Sequence, residues 1–223
     1  MMERILIGGY LFFAALFMAV MPMLPFEYSY LVKATPIALL VILTAISSRR
    51  TIVVSFTIGF IFSAAGDIAL ELDRARYFIH GMAFFACAHI AYLSGFIRMS
   101  KLDLPGIVLT ITAGGYVACI ANLIFANLGR LTIPVSVYMV VIFAMVASAS
   151  FSGSLRPLAL IGALLFMLSD SLIAYDKFVH HFASARIAIM ATYYLGQLFI
   201  ALGVMDATRR RAIFFRAASK IVQ

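Results

Sequence analysis

Charged residues are scarce in this chain, and their scarcity excludes a soluble domain. They make up 12% of the 223 residues, whereas hydrophobic residues make up 65% and the mean hydropathy is +1.08. Soluble domains are close to half apolar and a quarter charged, so a soluble fold of this size lacks the interior for these side chains. Apolar stretches of about 18 residues or more recur along the chain and are typical of transmembrane helices. We therefore predict an all-α, polytopic integral membrane protein.

The sequence also lacks the motifs of several familiar hydrolytic and redox chemistries. Its two cysteines, Cys87 and Cys119, both lie inside apolar stretches, so we expect buried free thiols and no disulfide. It contains no GxSxG, HExxH or CxxC motif and no glycine-rich phosphate loop. The four histidines do not have the spacing of metal ligands. We therefore expect neither a metal nor another cofactor.

Eight apolar segments are separated by short breaks rich in charge, proline, serine or glycine. The first segment follows a single arginine and has no small-residue cleavage pattern, so we expect a retained helix rather than a signal peptide. No soluble domain or long linker is left over, and residues 1–223 are expected to form a single transmembrane domain. The predicted spans are 5–21, 28–46, 52–70, 77–97, 106–126, 132–150, 157–175 and 185–205.

Lysine and arginine are distributed unevenly between the two sides of the predicted bundle. Of the 17, eleven lie on the side of both termini, five lie in the opposite loops and Lys33 lies within a span. Because cytoplasmic loops carry the excess of positive charge, both termini are expected in the cytoplasm. The net charge of +8 requires no nucleic-acid partner, since anionic headgroups attract basic segments. The tail 208–220 is interpreted as a topology signal, with a basic membrane-surface segment as the alternative.

Two segments of the chain match when the sequence is aligned with itself at an offset of 103 residues. The stretch "IFSAAGDIALELDR" then falls on "LLFMLSDSLIAYDK", and Asp67 meets Asp170. Farther on, with the second copy two residues shorter, Tyr92 meets Tyr193. Rare acidic residues that coincide in register indicate an internal duplication.

The offset of 103 residues covers four predicted spans, and an even number of spans returns the chain to the same side of the membrane. We therefore expect two parallel four-helix repeats, about 1–104 and 105–223, related by a pseudo-twofold axis along the membrane normal. That symmetry places Asp67 and Asp170 at the same depth, facing one cavity. A carboxylate inside a membrane costs about 2.5–3.5 kcal/mol on insertion scales and indicates a functional site. Two close carboxylates cannot easily both ionise, so the pair can hold a shared proton for acid–base hydrolysis.

Six further polar residues in the spans are candidates for the same cavity. Lys33 lies about five residues inside its span and either snorkels to the outer interface or pairs with an acid or a phosphate. Glu71 lies one helical turn beyond Asp67 on the same face. His89 and Tyr92 share a face of the fourth span, where a histidine is more often a hydrogen-bond partner than a base. The six candidates are Lys33, Glu71, His89, Tyr92, Tyr194 and Gln197.

The predicted depth of the acids indicates where a substrate enters. With cytoplasmic termini, the third and seventh spans run outward, and their acids lie in the outer third of the membrane. A cavity there opens toward the non-cytoplasmic headgroups and suits an amphiphile whose tail lies between helices. Candidates for a tail slot are Phe62, Phe84, Phe85, Met167 and Met190, although such residues in spans usually serve packing.

The order and spacing of several short motifs resemble those of the YhhN-type lysoplasmalogenases over essentially the whole chain. They are "KATP", "GDIALELD", "FIHGMAFFACAHIAYLSG", "VSVYMVVIFAM", "GALLFMLSDSLIAYDKF" and "YYLGQLFIALG". The resemblance implies a hydrolase that cleaves the vinyl-ether bond of lysoplasmalogens to a fatty aldehyde and glycerophosphoethanolamine or glycerophosphocholine. It also implies that the acids of the GD and SD motifs, Asp67 and Asp170, are the catalytic pair.

Vinyl ethers hydrolyse by protonation at carbon to an oxocarbenium ion, which resembles the intermediate of glycoside cleavage by paired carboxylates. We hypothesise that Asp67 and Asp170 divide the roles of acid and base, in either order. Lys33 is the candidate for holding the substrate phosphate, and His89 with Tyr92 or Gln197 is the candidate for orienting water.

The expected partners are a lysophospholipid substrate and membrane lipids, in a bacterial inner (cytoplasmic) membrane. Intramembrane acids and parallel repeats also occur in transporters, so a proton-coupled transporter of a lipid or small molecule is the alternative. A third hypothesis is a non-catalytic lipid-binding protein, for which two buried acids at equal depth are a needless cost.

Overall fold

The computed structural model of the protein describes residues 1–47, 51–153 and 157–221, with side chains up to Arg210. Within these residues the chain forms eight long α-helices, no β-strand, and only short turns between helices. Each of these helices is long and apolar enough to cross a membrane, which confirms the predicted fold class. They are α1 (Met2–Val20), α2 (Ser29–Ser47), α3 (Thr51–Leu72), α4 (Phe78–Ile97), α5 (Leu104–Ile124), α6 (Thr132–Ser150), α7 (Leu158–Phe178) and α8 (Ala185–Ile221).

The helix boundaries agree with the predicted spans to within three residues, with one exception. The prediction that the last helix ends near residue 205 was wrong, because α8 continues to Ile221. Its last part, 206–221, contains no glycine or proline and is rich in alanine and arginine, which favour helix. The side chains of the basic tail from residue 211 onward lie outside the described residues. So do Arg49, Arg50 and Arg156, which contributed to the charge asymmetry.

Helix α1 packs against α2 and α8, so the two ends of the chain meet. The hydroxyl of Tyr10 donates a hydrogen bond to the carbonyl of Tyr194 at 2.5 Å, and Phe17 packs edge-on against the same tyrosine. Arg209 of α8 forms an ion pair with Glu3 of α1. Both helix ends therefore lie on one side of the bundle, opposite to the α3–α4 and α7–α8 turns.

Helices α7 and α8 approach each other backbone to backbone. A Cβ atom on Gly162 would lie 2.6 Å from the carbonyl oxygen of Gly196 and from the nitrogen of Ile200. A Cβ atom on Gly203 would lie 2.6 Å from the nitrogen of Ala159. Small residues allow such close packing of helices in a membrane, where van der Waals contact drives association. The result is that the position of α8 is set by α7.

The most extensive helix pairs are α3–α4 and α7–α8, which hold corresponding places in the two predicted repeats. In the α3–α4 pair, aromatic rings rather than backbone atoms pack against the glycines. The ring of Phe85 packs against Gly66, and the ring of Phe56 packs against Gly95. The duplication itself stays a prediction.

Pro36 lies inside α2 and removes one of the backbone hydrogen bonds of that helix. Close to the proline, the hydroxyl of Tyr194 donates to the carbonyl of Lys33 at 2.8 Å. Backbone groups freed near a proline must find partners within the protein, because the bilayer offers none. Helix α8 thus supports the turn of α2 that carries Lys33.

Both cysteines are free, but the expectation that they are buried was wrong. Cys87 and Cys119 are exposed on the outer surfaces of α4 and α5. In a membrane bundle the outward faces of the helices are as apolar as the inward ones, because lipid covers them. Hydropathy therefore does not distinguish a lipid-facing thiol from a buried one.

Candidate active site

Asp67 and Asp170 line one cavity of about 200 Å³ between α2, α3, α7 and α8. The cavity lies near the ends of α3 and α7 and the start of α8, on the side of the bundle opposite to the two chain ends. Three acidic and three basic side chains line it. Its polar lining consists of Lys33, Asp67, Glu71, Arg74, Ser169, Asp170, Arg186 and Tyr193.

Asp67 is buried on α3, with 2% of its surface exposed. The hydroxyl of Tyr193 donates a hydrogen bond of 2.6 Å to Oδ2, and the Nζ atom of Lys33 lies 3.7 Å from Oδ1. Both carboxylate oxygens therefore have a partner. The ammonium group of Lys33 thus faces the carboxyl group of Asp67 inside the protein, where little water screens the pair.

Lys33 is a counter-ion inside the protein rather than a snorkelling residue. Its side chain is 9% exposed, and Nζ lies 3.5 Å from Oε2 of Glu71 as well as near Asp67. Glu71 also accepts hydrogen bonds of 2.7 and 3.0 Å from Nη2 of Arg186, and one of 3.4 Å from the hydroxyl of Ser29. The result is a charge network at the C-terminal end of α3, buried except for Arg186.

Asp170 is held by two residues that contact the same carboxylate oxygen. The hydroxyl of Tyr138 donates to Oδ2 at 2.5 Å, and Nε2 of His89 lies 3.2 Å from that oxygen and 2.9 Å from the tyrosine hydroxyl. Oδ1 makes no hydrogen bond within the described part of the chain. Asp170 thus lines the cavity with one of its two oxygens uncommitted among the described residues.

The two acids are surrounded in the same way. Each is contacted by one residue from the second helix of its own predicted half and by one from the fourth helix of the other half. The partners of Asp67 are Lys33 on α2 and Tyr193 on α8, and those of Asp170 are Tyr138 on α6 and His89 on α4. This exchange of partners is the arrangement that a pseudo-twofold axis between the halves would produce.

A second, apolar cavity of about 80 Å³ lies between α4, α5, α6 and α7. It shares Leu70, Phe85, Asp170 and Ile173 with the polar cavity, so the two spaces are neighbours on either side of these residues. Asp170 is the only acidic group among its lining residues. A molecule with a charged head and an apolar chain could therefore contact Asp170 at the junction of its head and its chain.

The residues proposed for a tail slot lie in different places. Phe85 and Met167 line the apolar cavity, and Met190 lines the polar one. Phe62 and Phe84 line neither cavity, since Phe62 packs against the core and Phe84 is exposed at the helix surface. The tail-slot prediction therefore has support for only part of its set.

Three of the candidate binding residues lie in the helix interfaces beside the cavities. The hydroxyl of Tyr92 donates to Oε1 of Gln197 at 2.9 Å and lies 3.3 Å from the hydroxyl of Ser63. Tyr194 is the residue that bonds the carbonyl of Lys33. Tyr92, Tyr194 and Gln197 line neither cavity, because the rotation of α4 and α8 turns them toward neighbouring helices. Their role in substrate binding stays a prediction, and their contacts are those of positioning residues.

Sequence reasoning missed four residues that contact the two acids or line the polar cavity. The sequence marks Tyr193 only as the repeat partner of Tyr92, although its spacing of four residues from Gln197 is a signal that both lie on one helix face. Tyr138 lies in an otherwise apolar stretch and gives no signal of its own. Arg74 and Arg186 are two of the five lysines and arginines that the sequence places in loops opposite the chain ends, yet both line the cavity.

The comparison with known families gives one match to most of the chain. A sequence model described as the YhhN family matches residues 28–204. That segment runs from just before α2 to within α8 and includes every residue of the polar site. No solved structure matches the chain.

Several curated relatives are similar in sequence. A bovine protein named lysoplasmalogenase TMEM86A is 38% identical over 160 residues, which cover 67% of this chain and 65% of the relative. Human lysoplasmalogenase TMEM86B is 35% identical over 145 residues, or 64% of this chain and 60% of the relative. A Mycobacterium tuberculosis protein named lysoplasmalogenase is 28% identical over 153 residues, or 64% and 57%. The matched region thus spans less than two thirds of the length of these relatives.

Proposed function

The chain belongs to the YhhN family, and on that premise we propose that it is an integral-membrane lysoplasmalogenase. The reaction hydrolyses the vinyl-ether bond of a lysoplasmalogen to a fatty aldehyde and glycerophosphoethanolamine or glycerophosphocholine. The names of the curated relatives support this reaction. The observation that carries the proposal is the meeting of a polar and an apolar cavity at Asp170, as a single-chain lipid with a charged head requires.

In the proposed mechanism Asp170 is the acid. Its Oδ1 has no partner in the described residues, and Asp170 lines the apolar cavity in which the alkenyl chain would lie. The Oδ1 proton passes to the second carbon of the alkenyl chain, and an oxocarbenium ion forms at the first carbon. Tyr138 and His89 hold the other oxygen and so fix the orientation of the acid.

Asp67 is the base in the same mechanism. Lys33 and Tyr193 stabilise its carboxylate, which offsets the positive charge of the oxocarbenium ion. Water attacks the first carbon and gives one proton to Asp67, forming a hemiacetal. The hemiacetal then releases the glycerol oxygen, which takes the proton from Asp67, while the hemiacetal hydroxyl returns a proton to Asp170. One water is consumed and both acids regain their starting states.

We further propose that the site opens to the non-cytoplasmic leaflet of a bacterial inner membrane. The support is the excess of lysine and arginine on the side of the chain ends together with the position of the polar cavity on the opposite side. The substrate head then lies in the outer headgroup region, and the alkenyl chain enters from the membrane.

The experiment measures fatty aldehyde released by the purified protein in detergent. A lysoplasmalogen, the corresponding acyl lysolipid and the saturated ether lysolipid are compared, because only the first contains a vinyl ether. We expect aldehyde from the lysoplasmalogen alone. Asp67→Asn and Asp170→Asn should each lower kcat by about a thousandfold, within the range for a lost acid–base group.

The matched control is Asp206→Asn, since Asp206 pairs with Arg210 on the opposite side of the bundle and should leave kcat unchanged. Circular dichroism and size-exclusion profiles establish that all three variants are folded. Most of the activity surviving in both site variants would overturn the mechanism. Absence of aldehyde from the folded wild type would overturn the proposed function, and no observation on the described residues or relatives favours a transporter in its place.

A further inference from the structure

Two arginines at the outer end of the polar cavity have no role in the proposed chemistry. Arg74 lies in the turn after α3, and Arg186 lies in the first turn of α8. Both line the cavity that contains Asp67 and Asp170. Their guanidinium groups therefore lie where the polar head of a substrate would enter.

Most of the hydrogen-bonding capacity of these arginines is unused. Arg186 contacts Glu71 through Nη2 alone, so Nε and Nη1 make no hydrogen bond within residues 1–47, 51–153 and 157–210. Arg74 makes no hydrogen bond or ion pair in the same residues. A guanidinium has five donors in a planar fork that matches the oxygens of a phosphate.

The two positive charges lie close enough to interact unfavourably. Partial burial lowers the pKa of the Arg74 guanidinium, and although Asp176 opposes this shift, the charge of Arg186 adds to it. Glu71 compensates Arg186 but is also shared with Lys33. An anion placed between the two guanidinium groups would remove their repulsion.

Lys33, the phosphate ligand expected from the sequence, is already used elsewhere. Its ammonium group lies between the carboxylates of Asp67 and Glu71, and its side chain is nearly buried. A phosphate that displaced either carboxylate would leave a buried negative charge without its partner. Among the described cationic residues that line the cavity, the two arginines are therefore the ones with donors left for a phosphate.

We propose that Arg74 and Arg186 bind the phosphodiester monoanion of the lysophospholipid headgroup and so select phosphate-bearing vinyl ethers. This inference rests on the proposed function, because it names the part of the same substrate that the arginines recognise. The contact holds the head at the outer end of the cavity while the vinyl ether lies beside Asp170. The arginines act on substrate binding, and the acids act on turnover.

The test compares a lysoplasmalogen with a 1-alkenylglycerol, which has the same vinyl ether and no phosphate. Charge-assisted hydrogen bonds contribute enough that losing one typically weakens binding about 10- to 100-fold. Arg74→Gln should therefore raise KM for the lysoplasmalogen by about tenfold or more, with kcat within about threefold of the wild type. For the alkenylglycerol, KM of the variant and of the wild type should agree, and Arg74→Lys should restore part of the lost affinity.

Arg76→Gln is the matched control, since Arg76 lies two residues away, contacts the ring of Tyr77 and lines neither cavity. Its KM values should equal those of the wild type for both substrates. An equal rise in KM for both substrates in Arg74→Gln would overturn the headgroup assignment. Arg186→Gln should show the same selectivity together with a lower melting temperature, because it also removes the partner of Glu71.

A binding measurement separates failure of this inference from failure of the proposed function. Isothermal titration of the wild type with glycerophosphoethanolamine should show binding that Arg74→Gln loses, whether or not aldehyde is produced. Inorganic phosphate at the same concentration should bind at least tenfold more weakly. Equal binding of inorganic phosphate would assign the site to free anions, and retention of glycerophosphoethanolamine binding in Arg74→Gln would refute the site.

Discussion

Tyr138 is the residue through which α6 reaches the candidate acid Asp170. Its hydroxyl donates a hydrogen bond of 2.5 Å to the carboxyl group and also contacts His89. This contact holds one carboxyl oxygen of Asp170, a residue that lines both cavities. Tyr138 is therefore a positioning residue in the proposed mechanism.

Replacing Tyr138 by phenylalanine should lower kcat by about 10- to 100-fold and leave KM within about twofold. The variant removes one hydrogen bond to the carboxyl group of Asp170 and keeps the ring that packs against His89. Asp170 is therefore oriented less well, which lowers kcat, while substrate binding is unaffected. Steady-state aldehyde release measures both constants.

Tyr116→Phe on α5 provides the control for this change. The Tyr116 ring packs against the core, but its hydroxyl makes no hydrogen bond in the described residues. Its kinetic constants should match the wild type. A tenfold loss in the control, or an unchanged kcat in Tyr138→Phe, would contradict the positioning role.

Lys33→Met should lower the free energy of unfolding by about 2–3 kcal/mol, somewhat less than the usual cost of breaking a buried ion pair. The cost arises because Asp67 and Glu71 lose their shared cation, although Tyr193 and Arg186 still contact them. Denaturation of the protein in mixed micelles measures the change. In the double variant Lys33→Met, Glu71→Gln, the free energy of unfolding should fall by less than in Lys33→Met alone. An equal or larger fall would disprove the charge network.

Residue type was predictable at the site, but the choice between neighbouring residues was not. Tyr193 contacts Asp67, whereas the adjacent Tyr194, which was the candidate from sequence, contacts the backbone of α2. Successive residues of a helix point about 100° apart, as 3.6 residues per turn requires. Which of two tyrosines faces the acid is thus set by the rotation of α8.

At the scale of elements, that rotation is governed by the glycine contacts of α7 and α8. Because a Cβ atom on Gly162 or Gly196 would lie only 2.6–3.0 Å from backbone atoms of the facing helix, neither helix can turn without a clash. Tyr193 and Arg186, both on α8, therefore reach the cavity only while this interface is intact.

Gly162→Ala should destabilise the protein by about 1–3 kcal/mol, the usual cost of overpacking. The added Cβ would lie 2.6 Å from two backbone atoms, which have no alternative rotamer. Thermal unfolding in detergent, followed by circular dichroism, measures the loss. Aldehyde release should fall as well, because α8 carries four lining residues of the cavity.

The same substitution at Gly115 on α5 is the control, since no atom lies within 4 Å of a Cβ there. Gly115→Ala should be neutral or should stabilise the helix slightly, because alanine is the better helix former. If Gly162→Ala were as stable as Gly115→Ala, close packing would not be what places α8.

At the scale of the whole molecule, both chain ends and the polar cavity lie on opposite sides of the bundle. We predict that the chain ends are cytoplasmic and that the cavity opens outward. A green fluorescent protein fused to the C-terminus should fluoresce in cells. In a background with Cys87→Ala and Cys119→Ala, Ser184→Cys in the exposed α7–α8 turn should react with an impermeant maleimide added from outside. Labelling only after the cells are opened would reverse the orientation.

The sequence alone predicted the membrane class and the positions of the spans, and it singled out two acids that line one cavity. A chain of long apolar runs with few charges cannot form a soluble fold. A single acid in such a run indicates a functional site, because a charge inside a membrane is costly. The match of Asp67 with Asp170 at one offset also required no structure. These features are local or periodic along the chain, so one-dimensional reasoning reaches them.

Only the tertiary structure decided which groups meet. Lys33 could have reached the interface or an acid, and it lies between Asp67 and Glu71 because α2 and α3 pack together there. Likewise Arg74 and Arg186, distant in sequence, share one cavity because the ends of α3 and α8 converge. Helix rotation and close approach depend on contacts between distant parts of the chain, and in lipid the apolar pattern does not reveal which face turns inward.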